Sequence, residues 1–364
     1  MSIKSLYLHV PFCKTICGYC DFCHFLFNEE KANNWLIALE NEIKDKNINK
    51  DLETIYIGGG TPTSLNIIQL EKLLAIMEPY SKNVNEYTIE VNPETIDEDK
   101  VKLLKKYNIN RVSIGVQTSD NRLLKLMNRF HDFNTVIYCV NLFKKYDINN
   151  ISVDVMYGIP TQTLDDLNKT LDDVLSLDIP HISIYCLTIE PDTLFDRLNY
   201  KEVDEDLDAD MYDLINNKLI SNGFFQYEIS NYSKKGYESK HNLTYWNYND
   251  FYGISLSSSG KENNVRYDNT KDFNKYLNGD YIENKVILSQ DDLMFEHIMM
   301  GLRKKEGINI KDFNLRYKTS LIDKYKDVIK SLINDGLIEI NNEYIRCSVK
   351  GMLISNDIIV KFMI

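Results

Sequence analysis

Four of the seven cysteines lie within eleven residues near the N-terminus. Cys13, Cys17 and Cys20 have the spacing Cys-x3-Cys-x2-Cys, and an aromatic residue, Tyr19, precedes the third thiol. Three thiolates on one short loop can ligate three irons of a 4Fe-4S cube, because cluster irons prefer soft sulfur ligands. The fourth iron would then remain open to a small chelating molecule. The spacing therefore predicts a metal centre at which a ligand binds directly to iron.

The same cysteines are compatible with two other metal sites. With Cys23 or His24 as a fourth ligand they would form a structural zinc site, and with Cys23 they would form a closed four-cysteine cluster. A disulfide is not expected, since the sequence has no apolar leader and is typical of a cytoplasmic protein, in which thiols stay reduced.

Length and composition limit the class of protein. The chain has 364 residues with 43% hydrophobic content, which suits one large domain or a large domain and a small one. No apolar run is long enough to cross a bilayer. The net charge of -12 argues against a nucleic-acid partner, because phosphate contacts need a basic surface. We expect a cytoplasmic protein, for which peripheral contact with a membrane is left open.

Short β-type runs alternate with amphipathic helical stretches up to about residue 225. This order predicts a parallel sheet with right-handed crossovers, and six such units make an incomplete barrel. The runs are Ser5–Val10, Thr54–Gly58, Tyr87–Val91, Arg111–Gln117, Ile151–Tyr157 and His181–Leu187, and the helical stretches lie around residues 30–46, 67–78, 97–107, 119–145 and 163–177.

Polar residues collect where these predicted strands end. The cysteines follow the first strand, the run Gly58-Gly59-Gly60-Thr61-Pro62 follows the second, and further polar residues lie in or after the next three. Parallel barrels carry their chemistry at the carboxyl ends of strands, so these residues share one rim. Glycines there let the backbone approach a ligand closely, although a tight turn is the alternative interpretation.

Four polar side chains at this rim suit the recognition of a small ligand. Glu90 can accept hydrogen bonds from a ribose or an ammonium group, and Asp154, on an apolar strand, needs a partner such as ribose hydroxyls. Gln117 suits an amide contact, and Arg129 is a natural fork for a carboxylate. A strand-end salt bridge for Glu90 and a solvent-exposed position for Arg129 are the alternatives.

The sequence pattern changes after about residue 230. Residues 231–285 are rich in Asn, Tyr and Ser, residues 290–335 are typical of helices, and residues 336–346 resemble a β-hairpin. Helices that end in a hairpin predict a winged-helix-like module. Within the first of these stretches, His241 and Asn242 lie close to Tyr245 and Trp246. An imidazole beside two large rings could bind haem, and a packed, hydrogen-bonded histidine is the alternative.

The ordered motifs along the chain resemble those of one protein family. Over nearly its whole length the sequence is similar to the radical S-adenosylmethionine (SAM) family that contains oxygen-independent coproporphyrinogen III oxidase and the haem chaperone HemW. The matching segments are Tyr7–Cys13, Gly58–Thr63, Glu90–Pro93, Arg111–Gln117, Asn128–His131, Asp154–Pro160 and Tyr227–Asn231.

The resemblance implies a fold, two cofactors and a set of site residues. The implied fold is an incomplete (β/α)6 radical SAM barrel with a C-terminal helical domain, and the implied cofactors are a 4Fe-4S cluster and SAM. Cys13, Cys17 and Cys20 would ligate the cluster. The residues implied for the SAM site are Tyr7, Tyr19, Gly59, Gly60, Thr61, Glu90, Gln117, Arg129 and Asp154, with Tyr19 against the adenine.

Two features favour the HemW branch of this family over the oxidases. The oxidases carry a further cysteine two residues after the third cluster ligand, where this chain has Phe22, and the role of Cys23 is left open. The segment His241-Asn-Leu-Thr-Tyr-Trp246 matches the His-Asn-x-x-Tyr-Trp motif of HemW proteins. That motif implies that His241, Asn242, Tyr245 and Trp246 contribute to a haem site.

The chain departs from this branch in one loop. HemW relatives usually have Gly-Ile-Gly-Pro-Gly-Ala-His-Ser where this chain has Gly253-Ile-Ser-Leu-Ser-Ser-Ser-Gly260. The loss of glycines and of a histidine removes backbone freedom and a candidate iron ligand, so we expect an altered geometry at the haem site.

We therefore expect a haem chaperone that binds a 4Fe-4S cluster, SAM and haem and delivers haem to acceptor proteins. The alternative is an enzyme, an oxygen-independent coproporphyrinogen III oxidase that forms protoporphyrinogen IX, and whether the chain is an enzyme is left open. Either function requires haem or a porphyrinogen as the ligand and an electron donor for the cluster. The predicted domains are the barrel with its cluster and SAM site over 1–230, a connecting segment with the His-Asn-x-x-Tyr-Trp motif over 231–289, and a HemW-type helical domain over 290–364.

Overall fold

The computed structural model describes residues 2–341 and 343–363, so residues 1, 342 and 364 of the predicted domains lie outside the described residues. The strands are β1 (Ser5–Val10), β2 (Phe12–Cys13), β3 (Phe25–Leu26), β4 (Thr54–Gly59), β5 (Glu86–Val91), β6 (Arg111–Gln117), β7 (Asn150–Tyr157), β8 (His181–Cys186), β9 (Phe225–Gln226), β10 (Asn231–Ser233), β11 (Tyr252–Ile254), β12 (Ser259–Glu262), β13 (Val265–Asn269), β14 (Ile282–Ile287), β15 (Ile308–Asn309), β16 (Ile338–Asn341) and β17 (Tyr344–Cys347). The helices are α1 (Glu29–Asp45), α2 (Ile67–Met77), α3 (Glu98–Lys106), α4 (Asn121–Leu126), α5 (Phe133–Lys145), α6 (Leu164–Ser176), α7 (Leu194–Arg197), α8 (Glu205–Ser221), α9 (Lys240–Trp246), α10 (Phe273–Leu277), α11 (Gln290–Gly301), α12 (Ile310–Tyr317), α13 (Leu321–Lys324), α14 (Lys326–Asn334), α15 (Val349–Leu353) and α16 (Ser355–Val360).

A nine-stranded sheet forms the main body, in the order β11-β1-β4-β5-β6-β7-β8-β10-β9. The strands from β11 to β8 are parallel, and β10 and β9 add antiparallel strands at one edge. The six predicted strands are β1, β4, β5, β6, β7 and β8, and each observed end lies within one residue of the predicted one. The predicted parallel sheet of an incomplete barrel is confirmed.

Local sequence signals explain where the outer helices begin. Each of the first six helices follows an Asn, Asp or Thr whose side chain accepts a backbone N–H of the first turn, which satisfies a donor that the helix leaves unpaired. The helical stretch expected around 119–145 is two helices, α4 and α5. Asn128 in the connection has a left-handed backbone with φ of 59°, and Asp132 caps α5. This break positions Arg129.

The segment between residues 231 and 289 is part of the sheet as well as a connection. β10 pairs with β8, and β11 pairs in parallel with β1, so this segment supplies strands near both edges of the sheet. It also forms the antiparallel sheet β12-β13-β14. Helix α9 crosses the amino ends of the barrel strands, where the carboxylate of Glu86 at the start of β5 accepts the backbone N–H groups of Lys240 and His241 at 3.0 and 2.9 Å.

A buried carboxylate on α1 holds this segment to the barrel. Glu42 accepts hydrogen bonds from the Ser255 backbone N–H, the Asn269 side chain and the Tyr276 hydroxyl, each at 2.7 Å. Its charge is balanced by Lys46 at 3.0 Å. A fully buried carboxylate is tolerated only when its lone pairs are satisfied in this way.

The C-terminal region has its own hydrophobic core, formed by α11 to α16 and the sheet β15-β17-β16. The predicted hairpin is the pair β16 and β17, in which Ile338 lies opposite Cys347. The helical C-terminal region is therefore confirmed. Among the helices within 2–341 and 343–363, none has the length and apolar character needed to cross a bilayer.

Removing the Glu42 carboxylate is expected to loosen the 253–276 segment. Glu42→Ala removes the buried carboxylate that Lys46 and three donors share and should lower the free energy of unfolding by about 3 kcal/mol in urea denaturation. The matched control is Glu40→Ala, since Glu40 pairs with Lys44 across one helical turn at an exposed position and should cost about 0.5 kcal/mol or less. Equal losses in the two variants would contradict this role of Glu42.

Candidate functional site

The three spaced cysteines lie on one loop that is fixed at both ends. Cys13 ends β2, which pairs with β3 beyond the loop, and the Gly18 N–H donates to the Met127 carbonyl at 2.9 Å. Burial raises the pKa of Cys13 to about 11 and that of Cys20 to about 12, and the neighbouring Cys17 thiol adds to both increases. A bound cation such as iron would reverse this preference for neutral thiols, which fits the donor set of a cluster.

The fourth cysteine belongs to a different surface. The Cys23 side chain lies beside Ser257 and Lys271, and its backbone carbonyl is 2.9 Å from Nε2 of His9. Nδ1 of His24 lies 3.7 Å from the Cys20 sulfur and is hydrogen-bonded to the backbone carbonyl of Phe22. Within the described part of the chain, no three His, Cys, Asp or Glu side chains surround a single metal-ion position.

The glycine run brings backbone against the cysteine loop. The Gly60 N–H donates to the Val10 carbonyl at 2.8 Å, and a Cβ at Gly60 would lie 2.8 Å from the Phe12 carbonyl oxygen and 3.0 Å from the Cys13 sulfur. Gly59 has φ of 109°, where other residues are strained. Thr61 places its hydroxyl 3.6 Å from the Cys13 sulfur. The close approach that the structure shows is to the cysteine loop, and the predicted approach to a ligand stays a prediction.

Arg129 is a buried side chain near the cysteine loop whose guanidinium group has a donor without a partner among the described residues. Its Nη1 donates to the Asn92 side chain at 3.0 Å and its Nη2 to the Tyr19 hydroxyl at 3.5 Å. The buried Nε has no partner among the described residues. A Cβ at Gly115 would meet Nη2 at 2.9 Å and the Gln117 amide at 3.1 Å, so these polar groups converge over bare backbone. This arrangement fits a ligand carboxylate.

Gln117 is held by an irregularity in its strand. The register between β6 and β7 shifts between Gly115 and Gln117, and Gln117 has φ of 65°. A bulge of this kind redirects a side chain at the end of a strand, and left-handed backbone in a non-glycine residue is a cost often found at functional sites.

Two carboxylates share the barrel interior beside the glycine run. Glu90 accepts the Tyr56 hydroxyl at 2.8 Å and the Gly59 N–H at 3.0 Å, and Asp154 accepts the Ser113 hydroxyl at 3.0 Å. Burial raises the pKa of Glu90 to about 7 and raises the pKa of Asp154. Among residues 2–341 and 343–363 neither acid forms a salt bridge, although the charges of Arg129 and Arg111 act on Asp154. A ligand with hydroxyl or ammonium donors would supply further hydrogen bonds to both carboxylates.

The two tyrosines predicted for the SAM site lie apart. Tyr19 contacts Arg129 and packs edge-to-face on Phe195, with ring centroids 6.4 Å apart. The Tyr7 hydroxyl lies 3.0 Å from Nδ1 of His9, and its ring faces Tyr56 inside the barrel.

His241 is buried on α9 with both ring nitrogens engaged. Its Nδ1 lies 2.9 Å from the Thr54 hydroxyl and its Nε2 lies 2.7 Å from the Tyr245 hydroxyl. Burial lowers the pKa of His241 to about 3, and only 1% of the residue is exposed. Asn242 uses its backbone N–H in the cap of α9. This geometry matches the alternative of a packed, hydrogen-bonded histidine.

Tyr245 and Trp246 line a cavity of about 600 Å³ between α9, the cysteine loop and α11. Its other lining residues are Tyr7, His9, Asp21, Phe22, Cys23, Tyr248, Asn249, Phe251, Ser257, Ser259, Gly260, Lys261, Arg266, Lys271, Met300 and Arg303. A cleft of about 1000 Å³ lies on the opposite face of α9 and is lined mainly by polar and charged residues. Only the smaller cavity borders the cysteine loop, and its aromatic wall suits a planar ligand.

The loop that departs from the HemW sequence pattern has left-handed backbone at two serines. Ser255 has φ of 78° and Ser257 has φ of 60°. The Ser255 hydroxyl accepts the Trp35 indole N–H at 2.8 Å, which offsets the strain. Ser257 lies beside Cys23, and Ser259 lines the cavity. Serine hydroxyls therefore stand on the cavity side of this loop, at the end of a turn with two left-handed residues.

Sequence reasoning did not assign site roles to Gly115 and Asn92. Asn92 accepts from Arg129 and donates to the Thr61 hydroxyl at 3.1 Å, which joins two predicted site residues. A glycine inside the strand run Arg111–Gln117 was the available signal, since such a glycine often marks close approach of another group.

Comparison with known proteins shows the family of the chain. The Radical SAM superfamily model matches residues 7–174, and the HemN C-terminal domain model matches residues 288–354. The chain is 37% identical over 370 residues to the haem chaperone HemW of Lactococcus lactis, covering 99% of this chain and 97% of the relative. It is 35% identical to HemW of Bacillus subtilis, covering 99% of each chain. The chain belongs to the HemW family of radical SAM proteins.

Membership of this family implies SAM and a 4Fe-4S cluster. The structure of coproporphyrinogen III oxidase (HemN) from Escherichia coli has the same fold, with a TM-score of 0.86, 22% identity and coverage of 99% of this chain and 90% of that one. HemW of Escherichia coli is 30% identical, covering 99% of this chain and 98% of the relative. The predicted family is therefore confirmed over the whole chain.

Substitution of single cysteines should show that the cluster needs Cys13, Cys17 and Cys20 and does not need Cys23. Cys17→Ala should abolish the brown absorbance and lower bound iron by at least about tenfold after anaerobic reconstitution, because a cluster with two thiolate ligands is poorly held. Cys23→Ala is the matched control, since its side chain lies beside Ser257, and it should retain full iron content. Loss of the cluster in Cys23→Ala would favour the closed four-cysteine site instead.

The buried Glu90 should make stability depend on pH. The pKa of Glu90 in the folded state is about 7, above its ordinary value in the unfolded chain. Between these two pKa values the folded state binds more protons than the unfolded state, so the free energy of unfolding falls as pH rises. The difference in the free energy of unfolding between Glu90→Gln and the unsubstituted protein should therefore rise by about 2 kcal/mol in favour of the variant when the pH is raised from about 5 to about 8 without SAM.

Glu98→Gln provides the control for this experiment. Hydrogen bonds from Lys145 and Tyr146 lower the pKa of Glu98 to about 2, so Glu98 titrates below the range tested and its effect should stay constant. Urea denaturation at both pH values measures the difference. A Glu90→Gln effect that does not change with pH would show that the Glu90 carboxyl is not destabilised by burial.

Proposed function

We propose that the protein is a haem chaperone that binds a 4Fe-4S cluster and SAM in its barrel and passes haem to acceptor proteins. The observation that carries this proposal is the cavity of about 600 Å³, which has an aromatic wall and borders the cysteine loop in a chain that matches HemW relatives along its length. Tyr245 and Trp246 of the His-Asn-x-x-Tyr-Trp motif both lie on that wall.

The cofactors of this proposal are assigned to separate residues of the rim. Cys13, Cys17 and Cys20 hold the cluster, which with SAM supplies one-electron chemistry when both are bound. Arg129 binds the SAM carboxylate, with Asn92 orienting the guanidinium. The remaining site residues line the rest of the SAM pocket, and they are Tyr7, Tyr19, Gly59, Gly60, Thr61, Glu90, Gln117 and Asp154. An electron donor reduces the cluster from outside.

Haem transfer and porphyrinogen oxidation are distinguished by their products. Cluster-loaded protein should bind haem with a shifted Soret band and then give it up to a soluble apocytochrome b. With SAM, reductant and coproporphyrinogen III it should form no protoporphyrinogen. Formation of that product would establish the oxidase alternative, and the absence of any haem-dependent band would overturn the chaperone proposal.

The aromatic wall should contribute measurably to haem affinity. Trp246→Ala removes one ring from the cavity and should weaken haem binding by about tenfold, equivalent to about 1.4 kcal/mol of lost stacking. Tyr138→Ala is the control, since Tyr138 is an aromatic side chain on α5 that is 55% exposed and does not line the cavity. Equal affinities for the two variants would place the haem elsewhere.

A further inference from the structure

We propose that Cys23 ligates the haem iron in this cavity and that Lys271 and Arg303 bind the two haem carboxylates. This inference rests on the proposed function and specifies the chemistry of its ligand site. It differs from the motif-based expectation, in which His241 is the imidazole beside the ring.

Imidazole ligation is disfavoured by the hydrogen bonds of the two nearest histidines. His241 has Thr54 and Tyr245 on its two nitrogens and is almost fully buried. His9 lies on the cavity wall, and its nitrogens are engaged by the Tyr7 hydroxyl at 3.0 Å and the Cys23 carbonyl at 2.9 Å. Coordination by either ring would break a buried hydrogen bond and leave its partner unsatisfied.

Two soft donors remain on the wall, Cys23 and Met300. Cys23 is the stronger of the two because a thiolate carries charge to the iron, whereas a thioether is neutral. The Ser257 hydroxyl and the Lys271 ammonium group lie beside the Cys23 thiol. Burial raises the pKa of the Cys23 thiol, and this hydrogen bond and this charge act against that rise. A bound iron cation would shift the preference to the thiolate, as it does for other ligating thiols.

The backbone around Cys23 is rigid enough to present its sulfur to a ligand. His9 holds the Cys23 carbonyl, and two residues further on the Phe25 N–H donates to the Pro11 carbonyl at 2.8 Å. β3 then pairs with β2, so the loop returns to the sheet directly after Cys23. Ligation would therefore require little ordering of the chain.

The charge on the cavity wall suits a dianion. Four cations and one acid, Asp21, line the cavity in a chain whose net charge is -12. Two of the cations are neutralised, since Lys261 pairs with Asp250 at 2.6 Å and Arg266 pairs with Glu296 at 3.1 Å. The two others are Lys271 and Arg303.

Lys271 and Arg303 form no salt bridge with any carboxylate in the described residues. The Arg303 Nη2 donates to the neutral Asn356 side chain at 3.3 Å, and the buried Nε lacks a partner. The negative charge of Glu228 acts on the pKa of Arg303 from a distance, and the two side chains form no salt bridge. Buried donors are rarely left unsatisfied, and a ligand carboxylate would satisfy this one.

The iron ligand is tested by spectroscopy of haem-loaded full-length protein. The unsubstituted protein should give the low-spin ferric EPR spectrum and the red-shifted ferrous–carbonyl band of a thiolate-bound haem, recorded as differences from cluster-loaded protein. Cys23→Ser should lose both signals and bind haem at least about tenfold more weakly. Cys186→Ser, which changes an exposed thiol that does not line the cavity, should keep both.

The outcomes separate this inference from the proposed function. Haem binding without thiolate signals, or thiolate signals that persist in Cys23→Ser, would overturn the ligand assignment and leave the chaperone function standing. No haem binding by the unsubstituted protein would overturn both.

The two cations are tested with haem and its dimethyl ester as probes. The unsubstituted protein should bind haem at least about tenfold more tightly than the ester, and the double variant Lys271→Gln with Arg303→Gln should lose that preference. Lys50→Gln with Arg346→Gln removes the same charge outside the cavity and should retain the preference. Discrimination that survives in the cavity variant would overturn the carboxylate assignment.

Discussion

The site depends on backbone-to-backbone contact between the end of β4 and the chain that leads into the cysteine loop. Gly60 and Thr61 donate to the Val10 and Phe12 carbonyls at 2.8 Å, with no space for a side chain at Gly60. Because these two segments touch, Cys13 lies beside Thr61. Asn92 then joins Thr61 to Arg129, so one glycine contact sets the distance between the thiols and the guanidinium.

The first turn of helix α9 is attached to the barrel, and its last turn lines the cavity. Its first turn is bound by Glu86 at the amino end of β5, and His241 is hydrogen-bonded to Thr54 at the start of β4. Its last turn supplies Tyr245 and Trp246 to the cavity beside the cysteine loop. The His-Asn-x-x-Tyr-Trp motif thus combines an anchor to the barrel with part of a cavity wall, because the residues of a short helix separate onto different faces.

Much of the architecture follows from local pattern. The alternation of short β-type runs with amphipathic helical stretches predicts the six central strands within one residue at each end. The same reasoning misses the division of 119–145, since the left-handed residue Asn128 leaves no mark in the apolar periodicity. It also treats 231–289 as a connection, because β10 and β11 have three residues each and depend on partners distant in sequence.

The sequence by itself determined the family, the spacing of Cys13, Cys17 and Cys20 and the strand ends that bring the rim together, because these depend on residue type and short-range periodicity. Only the tertiary structure decided that Cys23 lies beside Ser257, that His241 is buried with both nitrogens bonded, and that Gly115 lies beneath Arg129. Apart from the bond between His241 and Tyr245 within α9, these contacts join groups from different parts of the chain. Burial and hydrogen bonding between such groups are set by how the elements pack, and no local pattern encodes them.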